Sequence, residues 1–162
     1  FMLSEEGKEI TLYRLEQGDV CVLSASCVLS AITFEVQMEA VTESEIIQIS
    51  AGAYSEIVDR NIYAEAFTYK QATERFSDVM WTMQQILFMS FDQRLAIFLL
   101  DESGKTGSDD IHMTHEQIAK YTGSAREVVS RMLKYFSSEG LVKLSRGGVT
   151  ILDKKGLKQL IS

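Results

Sequence analysis

The sequence predicts an α+β chain in which strands come first, one long helix follows, and two short helices joined to a β-hairpin come last. Three observations carry that reading. Residues 8–50 read mostly as strands, with hydrophobicity alternating at period two over 10–15 and 34–40. Residues 64–91 repeat apolar side chains at intervals of four and three. Residues 113–152 pair two short helical stretches with a second alternating segment.

The 162 residues suffice for one medium domain or two small ones, and 46% hydrophobic content is ample for a core. No apolar run approaches the length that spans a bilayer, so no membrane partner is expected. The opening residues also lack the basic-then-apolar order of a signal peptide. Two cysteines, Cys21 and Cys27, are too few for a disulfide scaffold, which favours a reduced, cytoplasmic setting. The net charge of -7 averages two unlike parts. Residues 1–111 hold 7 Lys and Arg against 19 Asp and Glu, a net of -12, whereas residues 112–162 hold 9 against 4, a net of +5. An acidic body with a basic end suits a polyanion-binding module attached to something that does not touch the polyanion; uneven surface charge is the plainer account.

We read residues 1–63 as part of a β domain, with earlier strands expected outside this chain. Ile10, Leu12 and Arg14 alternate against Thr11, Tyr13 and Leu15, and Glu16-Gln17-Gly18-Asp19 makes a turn. Phe34, Val36, Met38 and Ala40 alternate against Glu35, Gln37 and Glu39, Glu45 through Ile49 suggests another strand, and Ser50-Ala51-Gly52 breaks it before a short helix at 53–59.

Residues 64–91 predict a helix of roughly 25 residues, about 38 Å long. Tyr69, Ala72, Phe76, Val79, Met83 and Ile86 form a lengthwise seam, and Met80, Leu87 and Phe91 widen it. A helix of twice the common length projects beyond a small domain. A second copy of the chain is therefore the expected cover for the seam, with burial inside the same domain as the alternative. The helix resumes at Phe91–Leu100 after or through a bend, and Ser103 to Asp110 reads as a polar loop within a third segment, 92–162.

In that segment Thr114 and Gln117 have the spacing of a capping box, starting a helix that runs to about Tyr121 with Ile118 and Ala119 inward. Gly123 supplies a tight turn. A second helix from about Ala125 to Ser137 buries Val128, Val129, Met132, Leu133 and Phe136. Small Ala119, Gly123 at the turn, and Val129 with Met132 in the wedge together make the pattern of a helix-turn-helix. Leu141–Leu144 and Val149–Leu152 form a hairpin around Ser145-Arg146-Gly147-Gly148, placed as a wing, and Asp153 caps a last helix that exposes Lys154, Lys155 and Lys158.

The outer face of the second helix carries Arg126, Glu127, Ser130, Arg131 and Lys134. The second helix of such a motif sets its first turns in the DNA major groove, where Arg donates two hydrogen bonds to guanine and Glu accepts one from cytosine. Arg126, Glu127 and Arg131 are the expected base readers. Phosphate contacts are expected from Thr114, Ser124, Ser130, Lys134, Lys143 and Arg146. The competing account is a solvated surface with a Glu127–Arg131 ion pair.

The sequence "MTHEQIAKYTGSAREVVSRMLKYFSSEGLV" at 113–142, "QRLAIFLL" at 93–100 and "GDVCVLSASC" at 18–27 resemble the bacterial Crp/Fnr family of transcription regulators. The resemblance implies a partial jelly roll like that of cyclic-nucleotide-binding domains, a long dimerisation helix and a C-terminal winged helix-turn-helix. It also matches Arg126, Glu127 and Arg131 to the family's base-reading positions. Two positions depart: Ala125 stands where many relatives have Ser, and Val128 where they often have Thr, so phosphate contacts from those hydroxyls are lost. Gly18-Asp19 resembles the Gly-Glu pair of the cyclic-nucleotide binders, but residues 26–40 contain no Arg to hold a cyclic phosphate, which argues against that ligand.

The family's iron–sulfur sensors need four cysteines; this chain has Cys21 and Cys27, read either as buried or lining residues or as redox-active ones. His112 and His115 lack further ligands, so no metal site is expected, and no cofactor can be named. No triad, paired-carboxylate site or phosphate-binding glycine loop supports an enzyme. The expected protein is a homodimer that binds an inverted-repeat site in double-stranded DNA, with RNA polymerase as a further partner. An effector or redox change would act through helix 64–91. A winged-helix adaptor that meets an acidic protein is the alternative.

Overall fold

The computed structural model describes residues 1–5, 7, 9–21 and 36–161. Along the chain lie β1 (Met2–Leu3), β2 (Glu9–Ile10), α1 (Ala51–Arg60), α2 (Ile62–Phe88), α3 (Phe91–Thr106), β3 (Asp110–Ile111), α4 (His115–Thr122), α5 (Arg126–Ser138), β4 (Val142–Ser145), β5 (Gly148–Ile151) and α6 (Lys154–Ile161). They divide between two compact units, one of Phe1–Lys8 with Leu12–Thr82 and one of Glu9–Thr11 with Met83–Ser162.

In the first unit, Ser50 caps α1 by accepting a hydrogen bond from the Ala53 amide at 3.3 Å. The residue read as a strand breaker is thus a helix start, and the helix is longer than expected. Asn61 ends α1 and opens α2, its side chain accepting from the Tyr63 amide at 2.9 Å. Thr68 is buried on α2, where it bonds the Ala64 carbonyl and meets the Tyr54 hydroxyl. Arg75 joins Asp19 at 3.5 Å and Asp78 at 3.0 Å, with its guanidinium 5.0 Å from the centre of the Tyr13 ring.

The strands expected here are largely not formed among the described residues. Residues 37–50 are exposed, and neither Val36–Ala40 nor Glu45–Ile49 belongs to a sheet; Phe34 and Glu35 lie outside the described residues. Alternation marks a face, but a strand also needs a neighbour to take its backbone hydrogen bonds. Only Glu9–Ile10 of the first alternating stretch is strand, although Leu12 is buried and Thr82 donates to its carbonyl at 3.0 Å.

α2 stops at Phe88, three residues short of the expected end, because Ser90 starts a new helix: its amide donates to Gln93 Oε1 at 3.1 Å. α3 then runs on to Thr106, which corrects the loop expected from Ser103. Glu102 and Ser103 are buried there despite their polarity, Ser103 donating to Asp109 at 2.7 Å. Gly107 ends the helix with φ of 67°.

The core of the second unit is one cluster that includes Leu95, Leu99, Ile118, Val129, Leu133, Phe136, Val142, Val149 and Leu157. α3 packs on α6 and α4 on α5 around it. The sheet has the order β3-β5-β4, all antiparallel, with Ile111 opposite Val149 and Val142 opposite Ile151. The hairpin lies where expected, but each strand is shifted one residue toward the turn, so Ser145 and Gly148 pair as strand residues; the two-residue β3 on its far side was not foreseen. Asp153 caps α6, accepting from the Lys155 and Gly156 amides at 2.9 and 3.0 Å.

Candidate nucleic-acid interface

α4 starts where its cap requires. Thr114 Oγ1 accepts from the Gln117 amide at 3.2 Å while Gln117 Oε1 accepts from the Thr114 amide at 2.8 Å, so two otherwise unpaired donors are satisfied. Ile118 and Ala119 are buried, as their positions implied. The chain leaves α4 through Gly123 at φ 60°, ψ 43°, a left-handed geometry that a side chain disfavours. The Ser124 amide closes the turn on the Ala119 carbonyl at 2.9 Å.

α5 begins at Arg126. Its preceding residue, Ala125, has the extended backbone of an N-cap but makes no side-chain cap bond, which follows from the missing hydroxyl. Val129, Leu133 and Phe136 are fully buried, while Val128 and Met132 are half-buried. That burial fixes which face looks out. Arg126, Glu127, Arg131 and Lys134 are exposed, Ser130 is half-buried between them, and the five line one open surface depression. Among the described residues no ion pair joins Glu127 to Arg131.

The remaining expected contacts are spread over the same unit. Thr114 is exposed but engaged in its cap, and Ser124 is half-buried at the turn. Lys143 is exposed on β4, and Arg146 with Gly147 forms the wing tip, Gly147 at φ 82°. Of the α2 seam, Tyr69, Phe76, Met83 and Ile86 are exposed, whereas Ala72 and Val79 are half-buried. Cys21 is half-buried with its sulfur 3.6 Å from the Tyr13 hydroxyl, and burial with that contact raises the Tyr13 pKa. Cys27 lies outside the described residues. Among the described residues no group of three or more His, Cys, Asp or Glu could hold a metal ion, and no helix is long and apolar enough to cross a membrane.

Two residues near the turn were not singled out from the sequence. Arg94 of α3 donates to the Thr122 carbonyl at 3.2 Å, and Glu9 pairs with Lys120 at 2.9 Å. Arg94 lay within a stretch read as resumed helix and as part of the family resemblance, with no role given to the residue itself; its charge inside an apolar run was the available signal.

Residues 93–160 match the Crp-like helix-turn-helix domain family. The chain is 39% identical over 80 residues to the transcriptional regulatory protein Btr of Bordetella pertussis, covering 45% of this chain and 33% of that protein. It is 35% identical over 60 residues to the transcriptional regulator SdrP of Thermus thermophilus, covering 37% of this chain and 28% of that one. The matched stretches thus span about a third or less of these curated relatives. A crystal structure from Eubacterium rectale, of a transcriptional regulator assigned to the Crp/Fnr family, superposes with a TM-score of 0.89 at 49% identity over 99% of this chain and 74% of that one. The helix-turn-helix geometry and these similarities agree, and the chain belongs to the Crp/Fnr family of DNA-binding transcription regulators.

Proposed function

We propose that this chain binds double-stranded DNA sequence-specifically as a homodimer and regulates transcription under the control of an effector or redox signal. The observation that carries the reading is the outer face of α5. A buried row of Val129, Leu133 and Phe136 anchors the helix, and Arg126, Glu127, Ser130, Arg131 and Lys134 stand together on the opposite side. Arg126, Glu127 and Arg131 read base edges, since two guanidinium forks and one carboxylate complement guanine and cytosine in the major groove. Thr114, Ser124, Ser130, Lys134, Lys143 and Arg146 hold phosphates and set the register.

Residues 1–63 form the sensing segment, 64–91 the dimerisation helix and 92–162 the DNA-binding domain. Exposure of Tyr69, Phe76, Met83 and Ile86 supports the dimer, because apolar side chains spaced along one helix are stabilised by covering them. Two-fold symmetry then calls for an inverted repeat with half-sites about one helical turn apart. Cys21 and Cys27 are candidates for a redox input, RNA polymerase is a further partner, and the cytoplasm is the place of action.

The test is selection of duplexes from random DNA by the full chain, with and without reductant. Enrichment of an inverted repeat supports the reading. Binding to DNA without sequence preference would overturn base reading and favour a protein-binding winged helix.

A further inference from the structure

We infer that Arg94 is a positioning residue for base reading: from α3 it fixes the carbonyl end of α4, and through the turn at Thr122-Gly123-Ser124 it sets the angle at which α5 is presented. The inference rests on the proposed reading of DNA by α5.

A helix ends with carbonyls that lack internal partners. In α4 these are taken up in distinct ways. Ala119 accepts from the Ser124 amide at 2.9 Å, and Lys120 accepts from the Gly123 amide at 3.4 Å and from the Thr11 hydroxyl at 3.3 Å. The Thr122 carbonyl, the last of α4, accepts from Arg94 Nη1 at 3.2 Å. Thr122 is itself buried, its hydroxyl bonded back to the Ile118 carbonyl at 2.7 Å, which fixes that last turn of α4. The cation comes from α3, whose Leu95, Ala96 and Leu99 lie in the core, so the anchor point is rigid.

The guanidinium is held at its own end too. It lies 5.5 Å from the centre of the Phe91 ring, and its Nε is buried without a hydrogen-bond partner among the described residues. Burial also lowers the Arg94 pKa. A group placed at that desolvation cost needs a compensating contact. The carbonyl end of α4, where the helix dipole is negative, supplies one. In this proposal none of these groups contacts DNA. Arg94 acts only through the geometry of the turn, and the turn sits two residues before the first residue of the recognition helix.

The experiment compares the full wild-type chain with Arg94→Met and Arg94→Lys. The probes are the duplex that the wild type itself enriches from random DNA and the same duplex with one base pair changed in each half-site. The readouts are the ratio of the two affinities, the salt dependence of binding to unrelated duplex, and the thermal midpoint. Arg94→Met should narrow the ratio about tenfold, comparable to losing one bidentate base contact. Its binding to unrelated duplex and its salt dependence should stay unchanged, since no phosphate contact is lost. Arg94→Lys, which keeps a donor for the Thr122 carbonyl, should stay within about threefold of the wild-type ratio. A lowered midpoint in either variant with an undiminished ratio would mean a purely structural role and overturn the inference while leaving the proposed function standing. If the wild type enriches no sequence, both fall.

Discussion

The Glu9 carboxylate lies 2.9 Å from the Lys120 ammonium, and the neighbouring Thr11 hydroxyl donates to the Lys120 carbonyl at 3.3 Å. A segment from near the start of the chain therefore grips both the side chain and the backbone of the last turn of α4. Glu9 is only 19% exposed at its side chain but Lys120 is 42% exposed, so solvent screens the pair and its contribution is modest. Glu9→Gln is expected to lower stability by about 0.5 kcal/mol at low salt, a difference that shrinks as ionic strength rises. Denaturant titrations at two salt concentrations would check this, and equal losses at both would rule out the ion pair as the cause.

Gly123 sits at φ 60° between α4 and α5. An added Cβ would meet only Ile86 Cδ1 at an ordinary 3.7 Å, so space is not the obstacle and the backbone conformation is. Gly123→Ala should cost about 1–2 kcal/mol, from the left-handed strain of an L side chain. Gly104, inside α3 with open space around its Cβ position, is the control: Gly104→Ala should stabilise by about 1 kcal/mol. Chemical denaturation of the two variants should give opposite signs.

These local features explain how much the sequence disclosed. The cap at Thr114 with Gln117, the turn at Gly123 and the buried row of Val129, Leu133 and Phe136 all depend on neighbours within one or two helical turns. Their spacing alone announces them. β3 escaped because it is two residues long and its partner strand is distant, with Asp110 opposite Thr150. Nothing local distinguishes Asp110-Ile111 from a loop. The end of α3 was misread for a related reason. Ser103, Gly104 and Thr106 look like loop residues, and only the contact of Ser103 with Asp109 shows why polar groups are tolerated there. The alternation at 36–40 and the apolar run at 45–49 were over-read, since a strand-like pattern marks a face but cannot supply a neighbouring strand.

Asp109 gives a pH prediction. The Lys154 ammonium at 2.5 Å, and then the Ser103 hydroxyl at 2.7 Å, hold its carboxyl below the ordinary carboxylate range. A folded pKa below the unfolded one means that the contribution is complete above the unfolded value of about 4. It is lost as pH falls through the depressed folded value. Wild type should therefore exceed Asp109→Asn in stability at neutral pH, and the gap should close in strong acid. Stability measured against pH for both proteins checks this; a gap that persists below both pKa values would exclude the carboxylate as its source.

Phe76 is 66% exposed on the α2 seam. If that seam is the dimer surface, Phe76→Glu places two like charges near the two-fold axis and removes apolar cover. Dimer association should weaken at least tenfold, read by sedimentation at several concentrations. An unchanged dissociation constant would place the dimer surface elsewhere.

Base reading and phosphate holding leave different marks on binding, which makes Arg126 and Arg146 separable. Arg126 is exposed in the first turn of α5 beside Glu127, whereas Arg146 is exposed at the wing tip next to Gly147. A fork bonded to one guanine is worth about 1–3 kcal/mol of discrimination at that base pair. Arg126→Ala should therefore flatten preference at one position of each half-site while the other positions keep theirs. A charge on a phosphate discriminates nothing. Arg146→Ala should weaken all duplexes by a similar factor and reduce the slope of log affinity against log salt by about 1 per protomer. Binding isotherms on a set of single-base variants at three salt concentrations resolve both effects. The decisive result is the cross comparison: if Arg146→Ala changes the base preference, or Arg126→Ala lowers only the salt slope, the two roles are misassigned and the orientation of α5 on the duplex must differ from the one proposed.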